Sequence, residues 1–261
     1  MSMLAVDRAA RVSSFNAVAK LAATLVTTVT LLLSIDAVSA GVTLVCVLAL
    51  MPLTGLSARM LWLRSWPLLT AAVLGAAATI LYGRPAGDTY LQWGLVHVTD
   101  GSFQLALAIL LRVLAIALPA VVLLSTTDPT DLADGLSQRV RLPARFVLGA
   151  LAGLRLVGLL VEDWRELSLA RRARGVADTG RLRRFLGQSF ALFVLAIRRG
   201  TKLATAMEAR GFGAPGARTW ARPSVLRPRD AVLVLIAVAI AAASAAIAIA
   251  AGTWTFVWAL G

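Results

Sequence analysis

Long apolar runs alternate with short polar breaks over the first 125 residues, give way to an extended polar and basic stretch, and return once near the end. Runs at 17–35, 37–56, 67–82, 103–124 and 231–257 read as membrane-crossing helices. At ~1.5 Å of rise per residue, about 20 apolar residues cross a hydrocarbon core. The breaks carry the expected punctuation. The loop at Asp36 holds no cation, whereas Arg59 and Arg64 sit among Trp62 and Trp66, residues suited to a membrane interface. Residues 83–102, with Tyr90, Trp93, His97 and Asp100, predict an external loop or a short interfacial helix. The chain therefore reads as an all-α integral membrane protein of about five spans. Its divisions are 1–125 (four spans), 126–230 (a polar helical region) and 231–261 (the last span).

The switch between regimes is abrupt. In Thr126-Thr127-Asp128-Pro129-Thr130-Asp131-Leu132, Asp128 suits a helix N-cap, Pro129 the first helical position, and Asp131 the positive end of the helix dipole. A short amphipathic helix to about Gln138 follows. Pro143 opens a second helix that meets no strong breaker before Arg174. Its first half, Phe146 to Val161, is apolar, but Arg155 within it and arginines on both flanks argue for a surface-lying or helix-packed element. A basic turn with Asp178 and Gly180 leads to a third helix from about Phe185 to Arg210. The connector 212–230 carries Pro215, Pro223, Pro228 and several arginines, a composition suited to anionic lipid headgroups.

Composition sharpens this picture. The chain is 59% hydrophobic with a mean hydropathy of +0.82, far outside the soluble range. The net charge of +13 is not spread along the chain: 19 of 26 Lys and Arg lie between Arg139 and Arg229. With nine acidic residues from Asp128 to Asp230, that region holds about +10 (19 minus 9). By the positive-inside rule it is cytoplasmic, as is the N-terminus with Asp7, Arg8 and Arg11, and an odd number of spans leaves the C-terminus outside, anchored by Trp254 and Trp258. The distribution points to a lipid bilayer, not to nucleic acid, as the partner of the charge. Val38-Ser39-Ala40 imitates a signal-peptidase site, but the apolar segments that follow favour a first span over a cleaved leader. Cys46, alone in an apolar run, reads as a small buried hydrophobe, and His97 lacks convergent ligand partners. Arg112, near the middle of the fourth span, is either a functional cation or a structural one facing a polar helix interface.

One tripeptide occurs twice, 36 residues apart: Ala173-Arg174-Gly175 and Ala209-Arg210-Gly211. Ala favours helix, a cation suits the C-terminal end of the dipole, and Gly turns left-handed to stop the helix. Each copy alone is an ordinary C-cap. The pair, in one polar segment of a membrane protein, also fits two similar acidic sockets on a partner.

With these residues in view, the whole chain resembles the transmembrane T component (EcfT) of energy-coupling factor transporters, ABC importers of vitamins and metal ions. The resemblance rests on Thr126-Thr127-Asp128-Pro129, on Ala173-Arg174-Gly175, and on Ala206-Met207-Glu208-Ala209-Arg210-Gly211-Phe212-Gly213. It implies amphipathic coupling helices on the cytoplasmic side, beginning at Asp128 and Pro129. Ala173, Arg174 and Gly175 would dock on one ABC ATPase and Ala209, Arg210 and Gly211 on the other. A membrane S component that binds the substrate would lie on the apolar faces of those helices, ATP and Mg would be used by the ATPases alone, and this chain would be no enzyme. One departure concerns Gly158, where relatives often carry a kinking proline.

Two rivals remain. A membrane-embedded transferase would use clustered carboxylates binding Mg²⁺, yet Asp128, Asp131 and Asp134 read more simply as helix-start residues. A self-contained secondary transporter or channel would show broken helices or intramembrane charges, and only Arg112 qualifies.

Overall fold

A computed structural model describes residues 10–83, 87–93, 96–175, 180–213 and 219–255. Asp7, Arg8, Asp178, Pro215 and Trp258 of the sequence reading lie outside them. Among the described residues there are eight α-helices: α1 (Ala17–Leu33), α2 (Ala37–Leu50), α3 (Ala58–Tyr82), α4 (Asp100–Thr126), α5 (Pro129–Gln138), α6 (Ala144–Ala173), α7 (Arg181–Ala209) and α8 (Pro228–Ala250). A two-stranded antiparallel hairpin, β1 (Thr89–Trp93) and β2 (Val96–Thr99), precedes α4, with His97 opposite Gln92. The chain forms two compact units, one of residues up to Leu132 together with those from Ser224 onward, the other of Ala133–Pro223.

The first unit has an inside-out look that a lipid environment explains. Most of its buried apolar positions are small: Ala72, Ala106, Ala108 and Ala115, and on α8 Ala237, Ala241 and Ala248, which form a stripe with Ser244 at helical spacing. Its large side chains point outward, with Leu74, Leu124 and Leu235 each well over half exposed. Lipid tails are as apolar as leucine, so helices in a membrane gain by close approach at small residues while leucines face the tails. Accordingly α1 packs on α8 and α4, α2 on α4 and α8, and α3 on α4. Leu31, Ala40 and Ala115 form the one tight apolar cluster identified among the described residues.

Helix starts in this unit are capped by the residues that precede them. Asp36 is buried and accepts hydrogen bonds from Ser39 N (2.6 Å), Ser39 Oγ (2.6 Å) and Ser34 Oγ (2.7 Å). Thr99 and Ser102 cap α4 reciprocally. Ser57 accepts from Met60 N and starts α3 earlier than the apolar pattern suggests, so Arg59 and Arg64 belong to that helix and not to a loop before it. Pro67 lies inside α3, where Thr70 Oγ1 donates to the Pro67 carbonyl (2.8 Å). The segment expected as loop or interfacial helix contains the hairpin instead, its strands built from Thr89, Tyr90, Leu91, Val96 and Val98, residues that fit a pleated surface.

Among the described residues, five helical segments are long and apolar enough to cross a membrane: Ala37–Thr54 (α2 with its one-turn extension), α3, α4, α6 and α8. The sequence reading counted α1 in place of α6. At 17 residues α1 falls just short of that length and packs within the first unit, whereas α6 pairs with α7 in the second. Cys46 is a half-buried free thiol on α2.

Candidate coupling surface

The second unit is built around α6 and α7. Four contacts fix their sense: Arg171 donates to the Gly187 carbonyl (3.0 Å), Gln188 to Ser168 Oγ (3.2 Å), Arg199 to Asp163 (2.5 and 2.9 Å), and Arg145 to the Gly213 carbonyl (2.8 Å). As residue number rises along α6 it falls along α7, so the helices are antiparallel. Trp164 meets Phe185 edge to face at 5.6 Å between centroids. α6 runs through Gly158 without interruption, and a side chain at Gly158 would meet nothing.

Both helices stop where the repeated tripeptide predicts. α6 ends at Ala173 with Arg174 as C-cap, and α7 at Ala209 with Arg210 as C-cap. Gly175 (φ +68°) and Gly211 (φ +75°) are left-handed. Gly175 N donates to Arg172 O (3.1 Å), Gly211 N to Glu208 O (2.9 Å) and Phe212 N to Met207 O (2.9 Å). Open space surrounds both glycines, so backbone conformation alone demands them. A left-handed L-residue costs roughly 1–2 kcal/mol. Gly211→Ala is therefore expected to speed amide exchange at residues 211 and 212 about 5–30-fold, measured by hydrogen exchange and mass spectrometry.

Ala173, Arg174, Ala209 and Arg210 are all exposed, and among the described residues neither guanidinium has a hydrogen-bond or ion-pair partner. Because the helices are antiparallel, the tips lie at opposite ends of the pair. Arg174 is 11 residues beyond Asp163, and Arg210 is 11 residues beyond Arg199. Two such runs at ~1.5 Å per residue put the tips roughly 33 Å apart along the pair. Apolar stripes flank them: Phe146, Leu154 and Val157 on α6, and Leu186, Phe190 and Phe193 on α7, all exposed. A cavity of about 520 Å³ lies between the helices near the Arg210 end, lined by Leu148, Leu151, Leu156, Leu203, Met207 and Phe212 among others.

The other sequence candidates lie elsewhere. Asp128 Oδ1 accepts from Thr130 N (2.9 Å) and Pro129 opens α5, which ends at Gln138 as the pattern predicts. Arg112 is half-buried midway along α4 and makes no hydrogen bond or ion pair among the described residues. Nor do three potential metal-ligating side chains cluster anywhere among them.

Residues 11–220 match the family described as CbiQ, cobalt transport protein. The chain is 31% identical over 204 residues to the energy-coupling factor transporter transmembrane protein EcfT of Limosilactobacillus fermentum, covering 71% of this chain and 76% of that protein. It is 30% identical over 160 residues to the protein of the same name from Bacillus subtilis, covering 57% of this chain and 60% of that one. The chain belongs to this transporter family. It is a membrane-embedded component of an energy-coupling factor transporter. The match to the family includes both Ala-Arg-Gly tips and stops short of α8.

Sequence reasoning found the tips but missed what connects them. Asp163 and Arg199, the bidentate pair between α6 and α7, were not singled out. A signal was present: they are 36 residues apart, the same offset that relates the two tripeptides.

Proposed function

We propose that this EcfT-family chain is a scaffold that couples two ABC ATPase subunits, identical or different, to a separate substrate-binding S component in the same membrane. The observation that carries the reading is the placement of two alike tips, each presenting one exposed arginine, at opposite ends of one antiparallel helix pair. A planar guanidinium suits bidentate pairing with a carboxylate, so one such residue per tip anchors one socket per ATPase. Residues 126–230, with α5 to α7, form the cytoplasmic coupling region between the spans of 1–125 and 231–261; the N-terminus is cytoplasmic and the C-terminus outside. The apolar stripes on α6 and α7 receive the S component, since exposed apolar patches of this extent mark interaction surfaces. ATP and Mg belong to the ATPases, closure of which shifts α6 and α7 and reorients the S component with its vitamin or metal ion. The chain itself performs no chemistry.

The test is co-purification from native membranes in mild detergent, with bound chains identified by mass. Recovery of ABC ATPases together with a small hydrophobic protein is the expected result. Recovery of this chain alone, under conditions that hold other membrane complexes together, returns the tips to plain helix caps.

A further inference from the structure

We propose that Asp163 and Arg199 are positioning residues that set the spacing of the two Ala-Arg-Gly tips, an inference that rests on the coupling role given to those tips. Asp163 is buried, and both its oxygens are taken by one guanidinium: Oδ2 by Nη1 at 2.5 Å and Oδ1 by Nη2 at 2.9 Å. Two parallel bonds between planar groups fix orientation as well as distance, which one bond or an ammonium cannot do. A half-exposed pair on a single helix would carry little weight, but this one joins two helices and its carboxylate is out of water.

Its position gives it leverage. Each partner lies 11 residues, about three turns, before the arginine of its own helix, so the clamp is equidistant from the two tips. Toward the Arg174 end, the Gln188–Ser168 and Arg171–Gly187 bonds and the Trp164–Phe185 contact also hold the helices together. Toward the Arg210 end the helices part around the 520 Å³ cavity, and the tie recorded beyond it is Arg145 to the Gly213 carbonyl. The last three turns of α7 thus take their direction largely from Arg199. A displacement imposed at one tip is passed toward the other through the clamp, which holds its direction while both bonds are made.

The experiment places spin labels at exposed Ala170→Cys and Ala204→Cys, one near each tip, in the full chain with Cys46→Ser, and measures their distance distribution by pulsed electron resonance. Asp163→Asn is expected to broaden the distribution by several ångströms. The exchange Asp163→Arg with Arg199→Asp is expected to narrow it again. An unchanged distribution in Asp163→Asn overturns the proposal. So does broadening that the exchange leaves in place, since it reports local damage and not a lost pair. Transport per ATP hydrolysed in the assembled complex separates the two claims. If spacing broadens while that ratio holds, the clamp positions the tips and the coupling role given to the tips is what fails.

Discussion

Arg174→Ala with Arg210→Ala is expected to strip the proposed ABC ATPase partners from the complex while leaving the chain folded in the membrane. Each arginine is exposed at a helix end, and among the described residues nothing within the chain pairs with it. Removing its side chain therefore forfeits no bond to a described residue. In a desolvated interface, truncating a charge that pairs with a carboxylate costs about 2–5 kcal/mol, much of it from the partner charge left buried and alone. At ~1.4 kcal/mol per decade, each single change weakens association at least 10-fold, and the double change removes the ATPases at any ordinary working concentration. Arg→Lys at either tip gives an intermediate loss, because it keeps the charge but not the fork. Co-purification with quantitative mass spectrometry reads all five variants, and thermal melting in detergent checks the fold. Normal recovery of ATPases with the double variant would refute the assignment of the tips.

What sequence and structure share depends on how local the physics is. The start of α5 is written in Asp128-Pro129, and the stops of α6 and α7 in Ala-Arg-Gly, because caps are decided by the few residues that make them. Apolar periods likewise place α1, α2, α4 and α8. α3 was harder: Arg59 and Arg64 look like a loop at a membrane edge, yet Ser57 caps a helix that carries both of them and continues past Pro67. The hairpin before α4 was missed because β-branched and aromatic residues interleave there with polar ones too briefly to show a period. The end of α8 at Ala250, ahead of the apolar stretch that follows, reflects a left-handed turn at Gly252, a local cap that no hydropathy pattern reports.

The coupling surface divides in the same way. The two tips are local and were found. Their opposition across an antiparallel pair is not, since a shared plan of apolar start and charged end says nothing about how two helices run past each other. Beyond their 36-residue offset, nothing in the pattern of the chain marks Asp163 and Arg199, and only packing reveals that Asp163 is buried and bonded through both oxygens to Arg199.

Asp230→Ala is expected to be the most destabilising single change in the membrane-spanning unit. Asp230 is buried in the first turn of α8; its Oδ1 accepts from Asn16 N (2.8 Å) and its Oδ2 from Arg227 N (2.7 Å). Asn16 in turn caps α1, accepting from Val18 N (2.9 Å), and its amide donates to Ser224 Oγ (3.0 Å) and the Val225 carbonyl (3.1 Å). One carboxylate thereby ties together the starts of two helices that pack on each other and are more than 200 residues apart in sequence. Its loss leaves two N–H groups without partners, at about 1–3 kcal/mol for a buried unsatisfied group, and removes a cap worth ~1 kcal/mol. A total on the order of 3 kcal/mol is a large share of a marginal stability, enough to lower the melting temperature by several degrees in detergent. Asp230→Asn should cost less, because it keeps one acceptor oxygen, although its amide nitrogen then faces an N–H donor. Asn16→Ala combined with Asp230→Ala should lose less than the sum of the two, since both changes break the same bonded network. Strict additivity, or a melting curve unmoved by Asp230→Ala, would show that α1 and α8 are held together by their small-residue packing alone.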